Sequence, residues 1–268
     1  MIFRTVGAAL ALAVSASAIA QGAATLAVPD EATIPAGPMG DAIKRGRLIL
    51  TDTKRQLPGN VGNGLNCTSC HLNGGTVPYA SPWVGLTGAF PEYRSRSGRV
   101  ISLQDRINDC FQRSMNGKAL AFDGEEMNAI LAYMKWLSSG VPTGTNVTGR
   151  GFEKIDTALK PDREHGKAIY AQRCAACHGA EGQGLPNPQG GYAMPPLWGK
   201  DSFNVGAGMA RTYTAAAFVK HNMPLGQGGT LTAQEAVDVA AFFTHQPRPD
   251  FAARTKDWPK GDRPKDAR

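Results

Sequence analysis

Two stretches, 67-CTSCH-71 and 166-GKAIYAQRCAACH-178, decide how this chain must be organised. In a C-x-x-C-H pentad the two thiols form thioethers to the vinyl groups of a c-type haem, and the histidine one residue on reaches the iron as its proximal ligand. A zinc centre would need a different ligand set at each site, and a redox C-x-x-C would not require a histidine directly after it twice. Cys67, Cys70 and His71, and again Cys174, Cys177 and His178, therefore predict two covalently attached c-type haems. The fifth cysteine, Cys110, belongs to neither pentad.

The surroundings of the pentads repeat. Gly166 opens GKAIYAQR before the second, and Gly46 opens GRLILTDT before the first, where an insertion, 58-PGNVGNGLN-66, delays the cysteines. After each pentad a capped amphipathic helix returns. In the first half Asp123 and Glu126 read as a D-x-x-E start ahead of Met127, Ile130, Leu131, Met134 and Leu137. In the second, Thr232 and Glu235 read as T-x-x-E ahead of Val237, Ala240, Ala241 and Phe243. An N-terminal helix running into a haem motif, an irregular middle and a C-terminal amphipathic helix is the layout of a small cytochrome c domain, present twice. The expected fold is mainly α, with two cytochrome c-like haem domains in tandem joined by a long linker.

The boundaries follow from composition. Residues 1–20 carry one cation, Arg4, then an apolar run and small residues at Ala18 and Ala20, which reads as a secretory signal peptide with the mature chain starting near Gln21. We expect an N-terminal haem domain over 21–145, a linker over 146–160, a C-terminal haem domain over 161–247 and an extended tail over 248–268. The tail is rich in proline and charge and suits either a surface strap or disorder. No other stretch approaches the roughly 20 apolar residues of a membrane helix, so the expected location is periplasmic, with no integral membrane segment after signal removal. Formal net charge is +7. Without a long basic run this does not predict nucleic-acid binding, although it suits small anions or an acidic partner.

Each iron needs a sixth ligand or an open position. In the second half Met223, in 221-HNMPLG-226, is the expected ligand, because a Met-Pro pair in a loop before the last helix is where such domains place a thioether. Met194 has less chain with which to cross the haem, while Met209 and His221 are further possibilities. In the first half the same offset from the helix cap falls at Ser114 or Met115, so the repeat favours Met115.

Cys110 competes on other grounds. Ser102 and Asp105 form an S-x-x-D cap and Asn116-Gly117 a stop, predicting a helix over 103–115. At 100° per residue Leu103, Arg106, Ile107, Cys110, Arg113 and Ser114 share one side, and Gln104, Asp105, Asn108 and Gln112 take the other. An inward arginine needs an anion, which a haem propionate or a substrate would provide. Guanidinium groups beside a thiol favour the thiolate, an iron ligand and a nucleophile.

The run 94-RSRSGRVISLQDRINDCFQRSMNGKAL-120, with both pentads, 218-FVKHNMPLG-226 and the DWPKG tail, resembles the diheme thiosulfate dehydrogenases that form tetrathionate. The resemblance extends over nearly all the mature chain, and DCFQRSMNGK is its most specific part. It implies that the first haem is held by His71 and Cys110, that Arg96 and Arg106 bind the substrate anion, and that Ser114 is the active-site serine. Some members have a lysine before the ligand methionine that exchanges with it; Asn222 stands there in this chain, implying that Met223 stays bound. The implied activity is oxidation of two thiosulfates to tetrathionate, or the reverse. The implied partners are these sulfur anions and a small cytochrome c or high-potential iron-sulfur protein. Two other functions fit the same residues: an electron carrier with His/Met ligation at both irons through Met115, and a sulfur-oxidising-complex cytochrome that transfers a thiosulfonate to a carrier protein.

Overall fold

The computed structural model describes residues 25–268, so the expected signal peptide lies outside the described residues. Among the described residues, six helices longer than two turns carry the fold. The first half has α1 (Pro38–Thr51), α2 (Leu103–Arg113) and α3 (Glu125–Leu137). The second has α4 (Arg163–Arg173), α5 (Thr212–Asn222) and α6 (Ala233–Thr244). Two short antiparallel hairpins complete it, β1 (Glu92–Arg94) with β2 (Arg99–Ile101), and β3 (Leu185–Pro186) with β4 (Tyr192–Met194).

In each half the first and last helices cross. α1 packs on α3, burying Ile43, Ile49 and Leu50 against Met127, Ile130 and Met134. α4 packs on α6 through Ile169 and Tyr170, while α5 lies against the same helix. The two glycines that open the repeated stretches stand at these crossings. A Cβ on Gly46 would lie 1.9 Å from the Ala129 carbonyl oxygen, and one on Gly166 2.0 Å from that of Asp238. The repeat thus encodes a backbone-to-backbone approach that no side chain can share.

Cap chemistry sets the helix ends. Ser102 and Asp105 form the expected capping box on α2, and Thr232 and Glu235 form that on α6. The expected D-x-x-E start of α3 is not a side-chain cap: Gly124 occupies the N-cap position without a side-chain hydrogen bond, and Glu125 and Glu126 occupy the first turn. There their charge complements the N–H groups exposed at the helix start. Helix α2 ends two residues earlier than the expected 115. The Asn116-Gly117 stop still operates, with Asn116 left-handed (φ 46°) and the Gly117 N–H donating to the Phe111 carbonyl at 2.9 Å.

Residues on both sides of the expected linker fasten the halves together. The Tyr79 and Ser81 N–H groups donate to the carbonyls of Gly149 and Gly151 (2.7 and 2.9 Å), and Val147 is buried, so this segment is docked along the first half. The glycine- and asparagine-rich insertion forms part of the seam. Buried Asn63 donates to the carbonyls of Ser114 and Ser202 (2.8 and 3.1 Å). Buried Asn204 reciprocates from the second half, donating to the Gln112 carbonyl and the Asn116 side chain (2.9 and 3.1 Å). The tail is an ordered strap: the Val205 N–H donates to the Pro249 carbonyl (3.0 Å), Trp258 is buried, and the Tyr213 N–H donates to Asp266 (2.9 Å).

Replacing Gly166 or Gly46 by alanine should destabilise the chain by about 1–3 kcal/mol through overpacking, outweighing the roughly 1 kcal/mol that alanine adds in an unconstrained helix. Denaturant unfolding of each variant checks this, and a stabilised variant would refute the crossing. A second test concerns the His165 imidazole, 2.8 Å from the buried Asp238 carboxylate, which raises its pKa above the ordinary value. A raised folded pKa gives stability that is fully present below about pH 6.5 and is lost as pH rises through the folded value. The melting-temperature deficit of His165→Gln should therefore be larger at pH 5.5 than at pH 9; an equal deficit at both would exclude the ion pair.

Candidate active site

The cysteine pair and histidine of each half are built as a haem mount. Cys67 begins a tight turn after Asn66, held by a reciprocal Asn66–Ser69 cap, and its N–H donates to the Thr53 hydroxyl at 3.0 Å. His71 Nδ1 lies 2.6 Å from the Ser81 carbonyl, and His178 Nδ1 lies 2.8 Å from the Pro195 carbonyl. A carbonyl can only accept, so each Nδ1 carries the proton and each Nε2 keeps a lone pair for a metal. Both carbonyls belong to residues that precede a proline, Pro82 and Pro196. Burial lowers His71 to about 4 and lowers His178 as well, so both imidazoles are neutral, as iron ligation requires. Burial likewise pushes the Cys67 and Cys70 thiols up to about 12 and Cys174 to about 11.

A cavity of about 770 Å³ opens in front of His71, walled by apolar residues that include Leu50, Trp83 and Phe111. That volume falls within the range of about 300–1,000 Å³ typical of cofactor pockets. The donor set and the apolar wall fit a covalently attached haem. Cys67, Cys70, His71, Arg96, Arg106, Cys110 and Ser114 all line this one cavity, whereas Cys174, Cys177, His178 and Met223 lie in the second half, away from it.

Helix α2 carries the distal wall. Arg106 Nη1 donates to Cys110 Sγ at 3.0 Å, the i,i+4 contact expected on one helix face. Cys110 raises the pKa of Arg106 above its ordinary value, chiefly by its charge. Ser114 caps the end of α2 and lines the same cavity, as does the buried Met115. Asn108 stays off the cavity face, as expected, but that side of the helix is covered rather than open. Asn108 is buried, donating to the Leu120 carbonyl (3.0 Å) and accepting from the Leu120 N–H (2.8 Å), because the chain folds back over that side of the helix.

Arg96 reaches the cavity from the β1–β2 turn. Its Nη1 donates to the Gly206 carbonyl of the second half at 2.6 Å, and its guanidinium lies over the Trp258 ring, 4.8 Å from the centroid. Burial, then the neighbouring Arg113 and Arg211, lower it to about 10. Arg113 shares the predicted face but is occupied elsewhere: it forms a two-pronged pair with Asp257 at 2.8 and 2.7 Å. Arg94 and Arg150 both pair with Glu92. The wall is thus strongly basic, with part of its charge matched internally.

In the second half Met223 ends α5 in extended backbone and packs partly buried against the core. Asn222 is buried, donating to the carbonyls of Phe218 and Tyr79 (3.0 and 3.2 Å). His221 pairs with Glu153 and stacks on Tyr79 with centroids 4.6 Å apart. Met209, a further possibility for the second iron, instead lines the first-half cavity together with Arg211 and Thr214, because the segment before α5 crosses the seam. Sequence reading also missed Asp257, Trp258 and the Gly206 carbonyl. The DWPKG tail was the signal for the first two; a backbone acceptor from the other domain leaves none.

Comparison with known proteins agrees with this geometry. A family model described as "SoxA/TsdA, cytochrome c domain" matches residues 60–143, and one described as "Cytochrome c" matches residues 164–246. Two cytochrome c domains in tandem imply two covalently bound c-type haems. A thiosulfate dehydrogenase of Psychrobacter arcticus is 52% identical over 249 residues, 93% of this chain and 76% of its own length. One from Allochromatium vinosum is 50% identical over 258 residues, 94% of this chain and 96% of its own. The solved as-isolated form of the thiosulfate dehydrogenase TsdBA from Marichromatium purpuratum superimposes with a TM-score of 0.80 at 40% identity, over 84% of this chain. This chain covers 50% of that one.

Proposed function

From the premise that this chain belongs to the thiosulfate dehydrogenase family, we propose that it couples two thiosulfate ions through their sulfane sulfurs into tetrathionate in the periplasm, and that the same site can run the reverse reduction. The single observation that carries this reading is the Arg106–Cys110 contact at 3.0 Å, set in a basic cavity that Arg96 enters from the other side. Among the described residues no helix is long and apolar enough to cross a membrane, which suits action on dissolved anions.

His71 and Cys110 are the proposed ligands of the first haem, and His178 and Met223 those of the second. Each bound haem supplies one-electron redox chemistry, so the pair matches the two electrons that the coupling releases, with a small cytochrome c or high-potential iron-sulfur protein as the proposed acceptor. Arg96 and Arg106 hold a thiosulfate by charge-assisted hydrogen bonds to its sulfonate end, leaving the sulfane sulfur directed at Cys110. Cys110 Sγ, which would first have to be released from the iron, would then bond to that sulfur with loss of two electrons, one for each haem to take up. The sulfane sulfur of a second thiosulfate attacks the same atom, the new S–S bond forms, the bond to Cys110 breaks, and tetrathionate leaves with the thiolate restored. Ser114, one helical turn beyond Cys110, is placed to orient the substrate. Asn222 has no titratable nitrogen and is held by two carbonyls, which supports Met223 as a fixed ligand.

Thiosulfate with ferricyanide, and tetrathionate with a reductant, should both turn over on the isolated holoprotein without a carrier protein. Cys110→Gly should abolish both activities with both haems still attached, and Arg106→Gln should lower kcat/KM by about 100-fold, the scale of losing one transition-state donor. Near-normal turnover by Cys110→Gly would exclude Cys110 as the nucleophile, and no turnover by the wild type, with a methionine-type spectrum at both haems, would instead favour the electron carrier that uses Met115. Turnover only with a carrier protein would favour thiosulfonate transfer.

A further inference from the structure

The strap formed by residues 248–268 has no part in the reading above, yet it runs back to the candidate anion site. It leaves α6 with the Arg248 guanidinium over the Phe203 ring, 4.4 Å from the centroid, and passes Phe251 beneath Arg113 at 4.6 Å. It then reaches the β1–β2 turn of the first half. There the Trp258 N–H donates to the Arg96 carbonyl at 2.7 Å, and the indole underlies the Arg96 guanidinium. Pro259 packs on Gly98, where a Cβ would lie 2.6 Å from the ring, and Lys260 lies over Tyr93 at 5.0 Å. The strap returns to the second half through Asp266.

Asp257 sits between two arginines. Its carboxylate, 6% exposed, takes both prongs of Arg113 and lies 3.9 Å from Arg96 Nε. Arg96 is therefore held on three sides: by the Gly206 carbonyl, by the face of an indole, and by a carboxylate that also fixes the neighbouring guanidinium. A long arginine side chain loses much rotamer entropy when it binds an anion, and a preset one loses less. The backbone around Trp258 is also shaped for the task, since this residue is left-handed at φ 55°, an unusual conformation for a bulky side chain.

We propose that Asp257 and Trp258 are positioning residues that set Arg96 for the sulfonate of the substrate, so that the C-terminal strap is part of the anion site. The inference rests on the functional reading given above. Field and position act in opposite directions at Asp257. Removing a negative charge next to an anion site should tighten anion binding by the field alone, whereas losing the clamp on Arg113 and Arg96 should weaken it.

The test is calorimetric titration of sodium tetrathionate into oxidised holoprotein, which has no electrons with which to reduce it, together with steady-state thiosulfate kinetics. Trp258→Ala should raise Kd and KM about tenfold, the scale of one desolvated cation–π contact, while kcat stays within about threefold. Trp258→Phe, which keeps an aromatic face, should recover most of the affinity. Asp257→Asn should also weaken binding, while the haem spectra of all variants match the wild type. Unchanged Kd in Trp258→Ala, or tighter binding in Asp257→Asn, would overturn the proposal even where thermal stability falls. Arg96→Ala separates the two levels: if it binds tetrathionate as the wild type does, or if the wild type binds none, the underlying anion-site reading fails and the strap's role with it.

Discussion

Crowding guanidinium groups around one thiol is the constraint to which much of the chain answers. Arg94, Arg96, Arg106, Arg113, Arg150 and Arg211 all line a single cavity, and taking such charges out of water is costly unless each meets a partner. The partners come from far apart in sequence. Glu92 serves Arg94 and Arg150, Asp257 serves Arg113, a carbonyl of the second half serves Arg96, and Cys110 serves Arg106. The hairpin, the docked linker segment, the seam and the strap are the elements that bring those partners in.

This makes the first haem site a product of both halves. A small haem domain can enclose its own cofactor, but Gly206, Met209, Arg211 and the strap all reach the first cavity from beyond the linker. The asparagine-rich insertion before the first pentad has a related purpose. It delays the cysteines by a loop whose Asn63 bridges the end of α2 to Ser202, so the helix that carries Cys110 is tied to the second half at its last turn. The second half meets the same seam near Met223, with Tyr79 of the first half stacked on His221 and accepting from Asn222.

Much of this was legible in local sequence. The pentads, the two capping boxes with serine or threonine, and the i,i+4 placement of Arg106 and Cys110 each depend on residues within a few positions, and local geometry enforces them. What was not legible depends on contacts across the chain. Periodicity puts Asn108 opposite Cys110, but only the return of the chain at Leu120 shows that this face is covered, with a buried partner for both ends of its amide. Asp123 looked like a cap, but glycine at 124 let the helix begin one residue later. The carbonyls of Ser81 and Pro195 that fix the proximal histidines are backbone atoms, visible in sequence only as residues before prolines. Met209 fell in the wrong site because spacing along the chain cannot say which side of a seam a loop crosses.

The two halves show how one fold takes two different helices at the same place. Helices α2 and α5 occupy equivalent places before the last helix of their domains, and each is 11 residues long. α5 turns Ala215, Ala216, Phe218 and Val219 inward and keeps its last basic residues, Lys220 and His221, only half-buried. α2 instead turns Arg106 and Cys110 toward its cavity and needs Asp257, Trp258 and Gly206 to keep the neighbouring charges in place. On the proposed assignment the second half is an electron relay, which needs no charge of its own on the distal side. Holding a dianion requires the opposite, a preset cluster of donors whose mutual repulsion is borne by the rest of the structure. The strap continues from the half without that cluster and crosses to it, pairing Asp257 with Arg113 and laying Trp258 under Arg96.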